Sequence, residues 1–288
     1  MRKHGCILEN KLNNLIGVFR RAEIIASSAD PSLKYHEHLL YWTAEAGNYV
    51  YRKLQNTPPK TLLDVGTGTG MNLQYLAGQW PRCQCAGSDI SESQVEVAKL
   101  LAQESGFENI NFQTCPADAL DYPDQSFEVL TCFFSMMYFQ DAVKSLEEFF
   151  RVLKPGGKIF ISSWTGENQL LDLVKKKFDI DQNATYPNGK NPFAYSDKAS
   201  FATLLKGQTL KNFRITKVKA KLKWQGNEEQ LWRFFKQTNP IIGKLLSELS
   251  SDECEKKENS IRLALSDFKD NQDICFSAGM TFCTITKN

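Results

Sequence analysis

Short apolar runs and amphipathic segments alternate through the middle of the chain. Apolar runs bounded by turn-forming residues predict five strands, near residues 61–65, 83–88, 110–115, 127–132 and 158–163. Apolar positions spaced three or four residues apart predict the intervening helices, near residues 70–79, 92–105 and 140–153. This alternation favours right-handed crossovers and a parallel sheet that helices cover on both faces.

The sequence on either side of this core follows other patterns. Residues 36–55 have the spacing of an amphipathic helix, while residues 167–200 are rich in Lys, Asn, Gly and Pro, which favour loops. A strand pattern follows at 213–222, a mainly helical region at 227–268, and a long apolar strand at 274–285. Two late strands and a helical block therefore follow the five alternating ones.

A glycine-rich turn follows the first predicted strand. The sequence Leu62-Leu63-Asp64-Val65-Gly66-Thr67-Gly68-Thr69-Gly70 has glycines at alternate positions, whereas the dinucleotide-binding pattern is G-x-G-x-x-G. Glycines there let the backbone pass close beneath a ligand. The second predicted strand ends at Asp89, and an acid about 20 residues beyond the turn can accept hydrogen bonds from ribose hydroxyls. Together these features predict a nucleoside-binding site.

Five motifs occur in order along this core: L-D-V-G-x-G-x-G from Leu63, S-D-I-S from Ser88, A-D-A from Ala117, F-E-V from Phe127 and R-V-L-K-P-G-G from Arg151. As a set they resemble the class I S-adenosylmethionine-dependent methyltransferases, over roughly residues 60–165. Within that class, the segment 133–141 is most similar to the ubiquinone and menaquinone biosynthesis methyltransferases.

The resemblance implies a Rossmann-like α/β fold. Its sheet has seven strands and is mostly parallel, with an antiparallel last strand inserted beside the fifth, helices on both faces and a helical lid. The resemblance divides the chain into an N-terminal helical cap segment (1–58), an S-adenosylmethionine-binding core (59–165), and a lid with the C-terminal strands that complete the sheet (166–288). We expect the lid to carry the substrate-binding surface.

For the methionine end of the cofactor, the resemblance points to the glycine turn. Gly66, Thr67 and Gly68 would form the turn beneath the methionine portion. Asp64 would orient that turn and hold the cofactor ammonium, directly or through water. The alternative is a tight strand-to-helix turn with no ligand.

For the nucleoside, the resemblance points to the ends of the second and third strands. Asp89 would accept hydrogen bonds from both ribose hydroxyls, and Ile90 would pack on the adenine ring. Asp118 would accept a hydrogen bond from the adenine amino group, and Ala119 would offer its backbone amide to the ring. A helix cap is the alternative for Asp118.

Phe133 and Phe134 are expected near the methionine end of the cofactor, although either residue fits a purely structural core position. Methyl transfer needs mainly an in-line approach of the acceptor to the activated methyl group, and it leaves S-adenosylhomocysteine. Where a base is needed, the candidates on the substrate side are Tyr138, His38 and His36. Ordinary surface positions on a helix remain the alternative for the two histidines. No pattern for a metal site is present.

Composition narrows the functional classes. The 35 basic and 33 acidic residues give a net charge of +2, so we expect no nucleic-acid partner. The eight cysteines are scattered and include no C-x-x-C pair, which predicts reduced thiols in a cytoplasmic protein. No apolar run is long enough for a signal peptide or a membrane span, and a monomer or a homodimer is expected.

The favoured hypothesis is an S-adenosylmethionine-dependent methyltransferase that acts on an oxygen, nitrogen or carbon atom of a small-molecule acceptor in biosynthesis. Methylation of a protein or an RNA is the alternative within enzymes. A non-catalytic S-adenosylmethionine-binding protein is the alternative from another class. The G-x-G-x-G spacing disfavours a nicotinamide-dependent oxidoreductase.

Overall fold

A computed structural model of the protein describes residues 31–179, 191–224, 226–238 and 240–288, with the side chains of the first helix described from Thr43 onward. The helices within these ranges are α1 (Pro31–Leu54), α2 (Met71–Gln79), α3 (Glu92–Glu104), α4 (Ala142–Val152), α5 (Gln169–Phe178), α6 (Lys198–Leu204), α7 (Glu228–Thr238), α8 (Pro240–Ser247) and α9 (Ser251–Leu265). The strands are β1 (Thr61–Val65), β2 (Gln84–Asp89), β3 (Ile110–Thr114), β4 (Phe127–Phe133), β5 (Leu153–Asn168), β6 (Leu210–Trp224), β7 (Lys269–Asp270) and β8 (Asp273–Lys287).

In the described part of the chain the strands form one sheet, in the order β3-β2-β1-β4-β5-β8-β6, and the two-residue β7 pairs with β8 off this path. The pairs β1–β2, β1–β4, β2–β3 and β4–β5 are all parallel. The carboxyl ends of these strands therefore meet at one edge of the sheet, where ligands of open α/β sheets bind.

Strand β8 runs antiparallel to β5. At its end, Lys287 Nζ donates to the carbonyl oxygens of Phe150 and Leu153, at 2.6 and 2.7 Å, where β5 begins. Nearer its start, the backbone N–H of Ser277 donates to Gln169 Oε1 at 2.6 Å, directly after β5. The predicted mostly parallel sheet, with an antiparallel last strand beside the fifth, is thus confirmed.

Side-chain caps fix the starts of two helices that follow the parallel strands. The Ser91 hydroxyl accepts from the backbone N–H of Gln94 and caps α3, and the Asp141 carboxylate accepts from Lys144 N–H at 2.9 Å and caps α4. In α4, Leu146 and Phe149 are fully buried, which places its apolar face in the core.

Contacts divide the described residues of the chain into two compact units. The first takes the residues up to Ser162 with Leu204–Arg214 and Cys283–Asn288, and so contains β1 to β4. The second takes Ser163–Thr203 and Ile215–Phe282. Within the described ranges, no helix is both long enough and apolar enough to cross a membrane.

The second unit has an aromatic and ionic interior of its own. The Trp232 ring stacks on Phe178 with centroids 6.3 Å apart. Between α7 and α9, Lys236 Nζ lies 2.6 Å from a Glu258 carboxylate oxygen, and Arg262 pairs with the same carboxylate at 2.8 Å. Most of the helices after β5 lie in this unit, and their role as a substrate lid stays a prediction.

Candidate functional site

The glycine turn after β1 is held in a conformation that favours glycine. Gly66, Gly68 and Gly70 have φ values of 69°, 57° and 75°. The backbone N–H groups of Gly66 and Thr67 both donate to the carbonyl oxygen of Ser88, at 2.8 and 2.9 Å. A side chain at these φ values would be strained, so the sequence pattern follows from the backbone geometry.

Asp64 is buried beneath this turn, with only 2% of its surface exposed. Thr131 Oγ1 donates to one carboxylate oxygen at 2.7 Å, and Thr67 Oγ1 donates to the other at 2.8 Å. Burial raises the pKa of Asp64 from its usual 3.8 to about 7, against the lowering effect of the two hydroxyl hydrogen bonds. The carboxyl group therefore links β1, the turn and β4.

Asp89 joins the glycine turn to the end of β2. The backbone N–H of Gly68 donates to one oxygen of its carboxylate at 2.8 Å, and that of Ser91 donates to the other at 3.0 Å. Each carboxylate oxygen has about two acceptor positions, so one on each oxygen stays available to a ligand hydroxyl. The next residue, Ile90, is 75% exposed and provides an apolar surface beside the acid.

Asp118 and Ala119 lie beyond the end of β3, in a segment that the following helix holds. The Asp118 carboxylate lies 3.9 Å from Lys144 Nζ, and the backbone N–H of Ala119 donates to Pro116 O at 3.2 Å. Immediately after them, Arg151 donates to the Leu120 carbonyl oxygen at 2.7 Å. The segment is thus fixed from α4.

The connection after β4 is strained and tightly bonded. Phe134 has a φ of 52°, which is uncommon for a bulky residue, and its N–H donates to Ser162 O at 3.1 Å. The hydroxyl of Ser135 lies 2.9 Å from both Gly66 O and Phe133 O. Both phenylalanines are buried, whereas Tyr138 is 54% exposed in a short 3₁₀ helix.

His36 and His38 lie in α1, within the part of that helix whose side chains are outside the described residues. Direct contacts bring together Asp64, the glycine turn, Asp89 and the connection after β4. Asp118 and Tyr138 are placed by their elements, at the ends of β3 and β4. Every assigned role in this set remains a prediction.

A family model described as a methyltransferase domain matches residues 56–227, more than half of the chain. The chain belongs to the methyltransferase domain family. The resemblance seen in the motifs is confirmed, and S-adenosylmethionine is the cofactor of this family.

Two curated relatives each match less than half of the chain. The chain is 38% identical over 113 residues to the uncharacterised methyltransferase YcgJ of Bacillus subtilis, covering 38% of this chain and 44% of that protein. It is 31% identical over 137 residues to a demethylmenaquinone methyltransferase of Chlorobaculum parvum, covering 46% of this chain and 54% of that protein. The matched segment thus spans about half the length of these relatives.

Solved structures share the fold. The crystal structure of YcgJ from Bacillus subtilis superposes with a TM-score of 0.54 at 22% identity, covering 85% of this chain and 98% of that one. A phosphoethanolamine N-methyltransferase of Haemonchus contortus, in complex with S-adenosyl-L-methionine, gives a TM-score of 0.51 at 15% identity, with coverage of 85% and 52%.

The residues at the carboxyl edge fit S-adenosylmethionine. Asp89 keeps one acceptor position on each carboxylate oxygen, which is what a pair of ribose hydroxyls would require, and Ile90 offers an exposed apolar side chain next to it. Gly66 and Gly68, which have positive φ values, present backbone without side chains, and the Thr67 hydroxyl between them is bonded to Asp64. The acceptor positions and the apolar side chain therefore fit the nucleoside part of S-adenosylmethionine.

The sequence motifs did not indicate three of the residues that build this site. Thr131 on β4 contacts Asp64 on β1, Ser135 contacts the glycine turn from the connection after β4, and Arg151 holds the segment after Asp118. The sequence identified Arg151 only as the first residue of the R-V-L-K-P-G-G turn. The polar residues of an otherwise apolar strand, such as Thr131, were the available signal.

Proposed function

We propose that the protein transfers a methyl group from S-adenosylmethionine to an oxygen, nitrogen or carbon atom of a small-molecule acceptor. The observation that supports this proposal is the 2.8 Å hydrogen bond from Gly68 N–H to the Asp89 carboxylate, because it joins the glycine turn to the acid that we assign to the ribose. Family membership supplies the reaction class.

In this proposal the residues of the chain bind S-adenosylmethionine and orient it for methyl transfer. Asp89 accepts from the ribose hydroxyls, Ile90 packs on the adenine, and Asp118 accepts from its amino group. Asp64 is almost fully buried and acts through the turn that it holds. The cofactor supplies an activated methyl group, so the protein contributes chiefly alignment.

The acceptor side centres on the connection after β4. Phe133 and Phe134 are buried at its start, and Tyr138 presents a half-exposed phenol two residues beyond Met136. Tyr138 would position or deprotonate the acceptor, and His36 and His38 remain candidate bases. The demethylmenaquinone methyltransferase among the relatives supports a small organic acceptor.

Calorimetric titration with S-adenosylmethionine, S-adenosylhomocysteine and NAD tests the cofactor assignment. We expect the first two to bind and NAD not to bind. Binding of NAD alone, or of none of the three, would refute the proposal. Once binding is established, release of S-adenosylhomocysteine reports turnover with candidate acceptors.

The acceptor class is tested with the same readout. We expect product release with a panel of quinols, phenols and amines, and none with unmodified RNA or unfolded protein. A Tyr138→Phe variant should keep the affinity for S-adenosylmethionine and lose turnover, with Tyr51→Phe on α1 as the matched control. Turnover on RNA or protein alone would overturn the small-molecule assignment, and binding without turnover on any acceptor would favour a non-catalytic binding protein.

A further inference from the structure

A surface cleft of about 320 Å³ lies within the first unit, lined by side chains of α1, β5, β6 and β8. None of the residues assigned to the cofactor or the acceptor lines it. A volume of this size is at the lower end of the range for small-molecule pockets. The cleft is thus large enough for a compact ligand.

Strand register places the cleft away from the glycine turn. Lys158, which lines the cleft, is level with Val129, and Val129 is level with Leu62. Gly66 comes four residues after Leu62, which corresponds to roughly 13 Å along the strand direction. Phe160, which also lines the cleft, is level with Thr131 and therefore with Asp64. The cleft thus extends from the amino ends toward the middle of the strands, and it shares no lining residue with the carboxyl edge.

The charged residues of the cleft are all basic. Lys53, Lys158 and Arg214 line it, and no acidic side chain does. Within the described ranges, none of these three cations makes an ion pair with a carboxylate. Three positive charges around one concave surface raise the local concentration of anions.

The rest of the lining is mixed, with a half-buried Phe213, the exposed amide of Asn212, and two aromatic rings that are almost fully buried. Phe160 is 1% exposed and Tyr49 is 6% exposed, and Lys53 Nζ lies 5.3 Å from the centre of the Tyr49 ring. The Thr284 hydroxyl is buried and has no hydrogen-bond partner among the described residues. An anionic group attached to an apolar body matches this combination better than a free inorganic ion does.

We propose that this cleft is a second ligand site, which binds a small organic anion. Its phosphate or carboxylate group contacts Lys53, Lys158 and Arg214, and its apolar body packs against Phe213 and the small exposed edges of Tyr49 and Phe160. The site does not depend on the methyl-transfer chemistry, because it shares no residue with the carboxyl edge of the sheet.

Calorimetric titration of the full-length protein with phenyl phosphate, benzoate and inorganic phosphate tests the proposal. We expect phenyl phosphate or benzoate to bind more tightly than inorganic phosphate, and the tighter of the two identifies the anionic group. The affinity should fall as the salt concentration rises. Absence of binding by both aromatic anions, or equal binding of inorganic phosphate, would overturn the proposal.

Substitutions locate the bound anion. Arg214→Gln and Lys158→Gln should each weaken binding about tenfold or more, since each removes a charge-assisted hydrogen bond. Lys211→Gln, at an exposed position of the same strand β6 outside the cleft, should leave the affinity unchanged. Equal loss in all three variants, or no loss in any, would show that the anion binds elsewhere.

A competition separates this site from the cofactor site. We expect phenyl phosphate to bind with the same stoichiometry when S-adenosylhomocysteine is saturating. Displacement by S-adenosylhomocysteine would place the anion at the carboxyl edge and overturn the proposal. If S-adenosylhomocysteine itself does not bind, the titration with the Arg214→Gln variant still decides the anion site independently.

Discussion

Thr131 donates its hydroxyl to the buried carboxyl group of Asp64 across the β1–β4 pair, with 2.7 Å between the two oxygen atoms. The second carboxyl oxygen accepts from Thr67 in the glycine turn, at 2.8 Å. One carboxyl group therefore connects two strands and the turn. Burial opposes ionisation of this carboxyl group and raises its pKa, so the stability of the fold depends on pH.

Replacement of Asp64 by Asn should remove this pH dependence. Burial raises the pKa of Asp64 from 3.8 to about 7, so between these values the folded protein binds the proton more tightly than the unfolded chain does. The free energy of unfolding therefore falls as the pH rises through this window, by an amount on the order of 4 kcal/mol, and levels off above it. Urea denaturation of both proteins at several pH values measures the difference.

The comparison with Asp64→Asn cancels the contributions of the other titrating groups. We expect the wild type to lose stability relative to the variant between about pH 4 and pH 7. A difference in unfolding free energy that stays constant from pH 4 to pH 8 would contradict the raised pKa. Asp267→Asn, at an exposed position, should track the wild type throughout.

Replacement of Asp89 by Ala should abolish tight binding of S-adenosylmethionine. The variant loses the acceptor that we assign to two ribose hydroxyls. Loss of two charge-assisted hydrogen bonds should lower the affinity for S-adenosylmethionine by about 100-fold or more. It also loses the bond from Gly68 N–H that holds the turn. Isothermal titration with S-adenosylmethionine measures the affinity.

Two further variants complete this test. Asp89→Asn keeps a side-chain acceptor of similar shape and should bind more weakly than the wild type but better than Asp89→Ala. Asp267→Ala, an exposed substitution, should bind as the wild type does. Unchanged affinity in Asp89→Ala would refute the placement of the nucleoside.

The strand and helix positions of the core were predictable because each element is specified locally. Apolar runs bounded by turn residues located β1 within Thr61–Val65, and the polar and apolar spacing located α3 within Glu92–Glu104. Strand β5 departs from the prediction, since it begins at Leu153 rather than near residue 158, and helix α5 (Gln169–Phe178) forms in a region predicted to favour loops. Leu153 pairs with Phe127, with a register irregularity after it, and such cross-strand pairing leaves no local pattern.

Only the site residues that belong to a sequence motif were predictable. The positions of the glycines and of Asp89 were predictable, because the motif requires glycine at positive φ and an acid at the end of β2. The bonds of Ser135 to Gly66 and of Thr131 to Asp64 join residues 69 and 67 positions apart in the sequence. Periodicity assigns a residue to a face of its strand, but it does not identify its partner on another strand.

Replacement of Gly66 by Ala should destabilise the turn in two ways. Its φ of +69° is strained for any side chain, and an added Cβ would lie 2.5 Å from Ser135 Cβ. We expect the free energy of unfolding to fall by about 2 kcal/mol or more. Urea denaturation measures this loss, and calorimetry with S-adenosylmethionine should show weaker binding.

A second substitution separates the contact from the strain. Ser135→Gly removes the side chain that the added methyl group of Gly66→Ala would meet, so the double variant should recover part of the loss, while the strain at φ +69° remains. Gly166→Ala provides the control, since an added Cβ there has no atom within 4 Å. Purely additive effects of the two substitutions would rule out the steric contact.

Replacement of Arg151 by Lys should loosen the segment that follows Asp118 and Ala119. The guanidinium donates to the carbonyl oxygens of Leu120 and Tyr122, at 2.7 and 2.8 Å, and makes two further bonds of 2.7 Å to Glu148. These bonds to Arg151 also lower the pKa of Glu148. A lysine ammonium cannot reproduce this planar set of donors.

We therefore expect Arg151→Lys to lower the free energy of unfolding by about 1 to 2 kcal/mol, since several charge-assisted hydrogen bonds are lost but solvent at the partly exposed Arg151 weakens each of them. The affinity for S-adenosylmethionine should also fall, because the loosened segment directly follows the residues assigned to the adenine. Arg233→Lys is the matched control, with an exposed side chain and one ion pair of 3.6 Å to Glu229. Equal changes in melting temperature for the two variants would contradict the structural role of Arg151. Unchanged affinity in Arg151→Lys despite a lower melting temperature would show that Arg151 does not affect the adenine site.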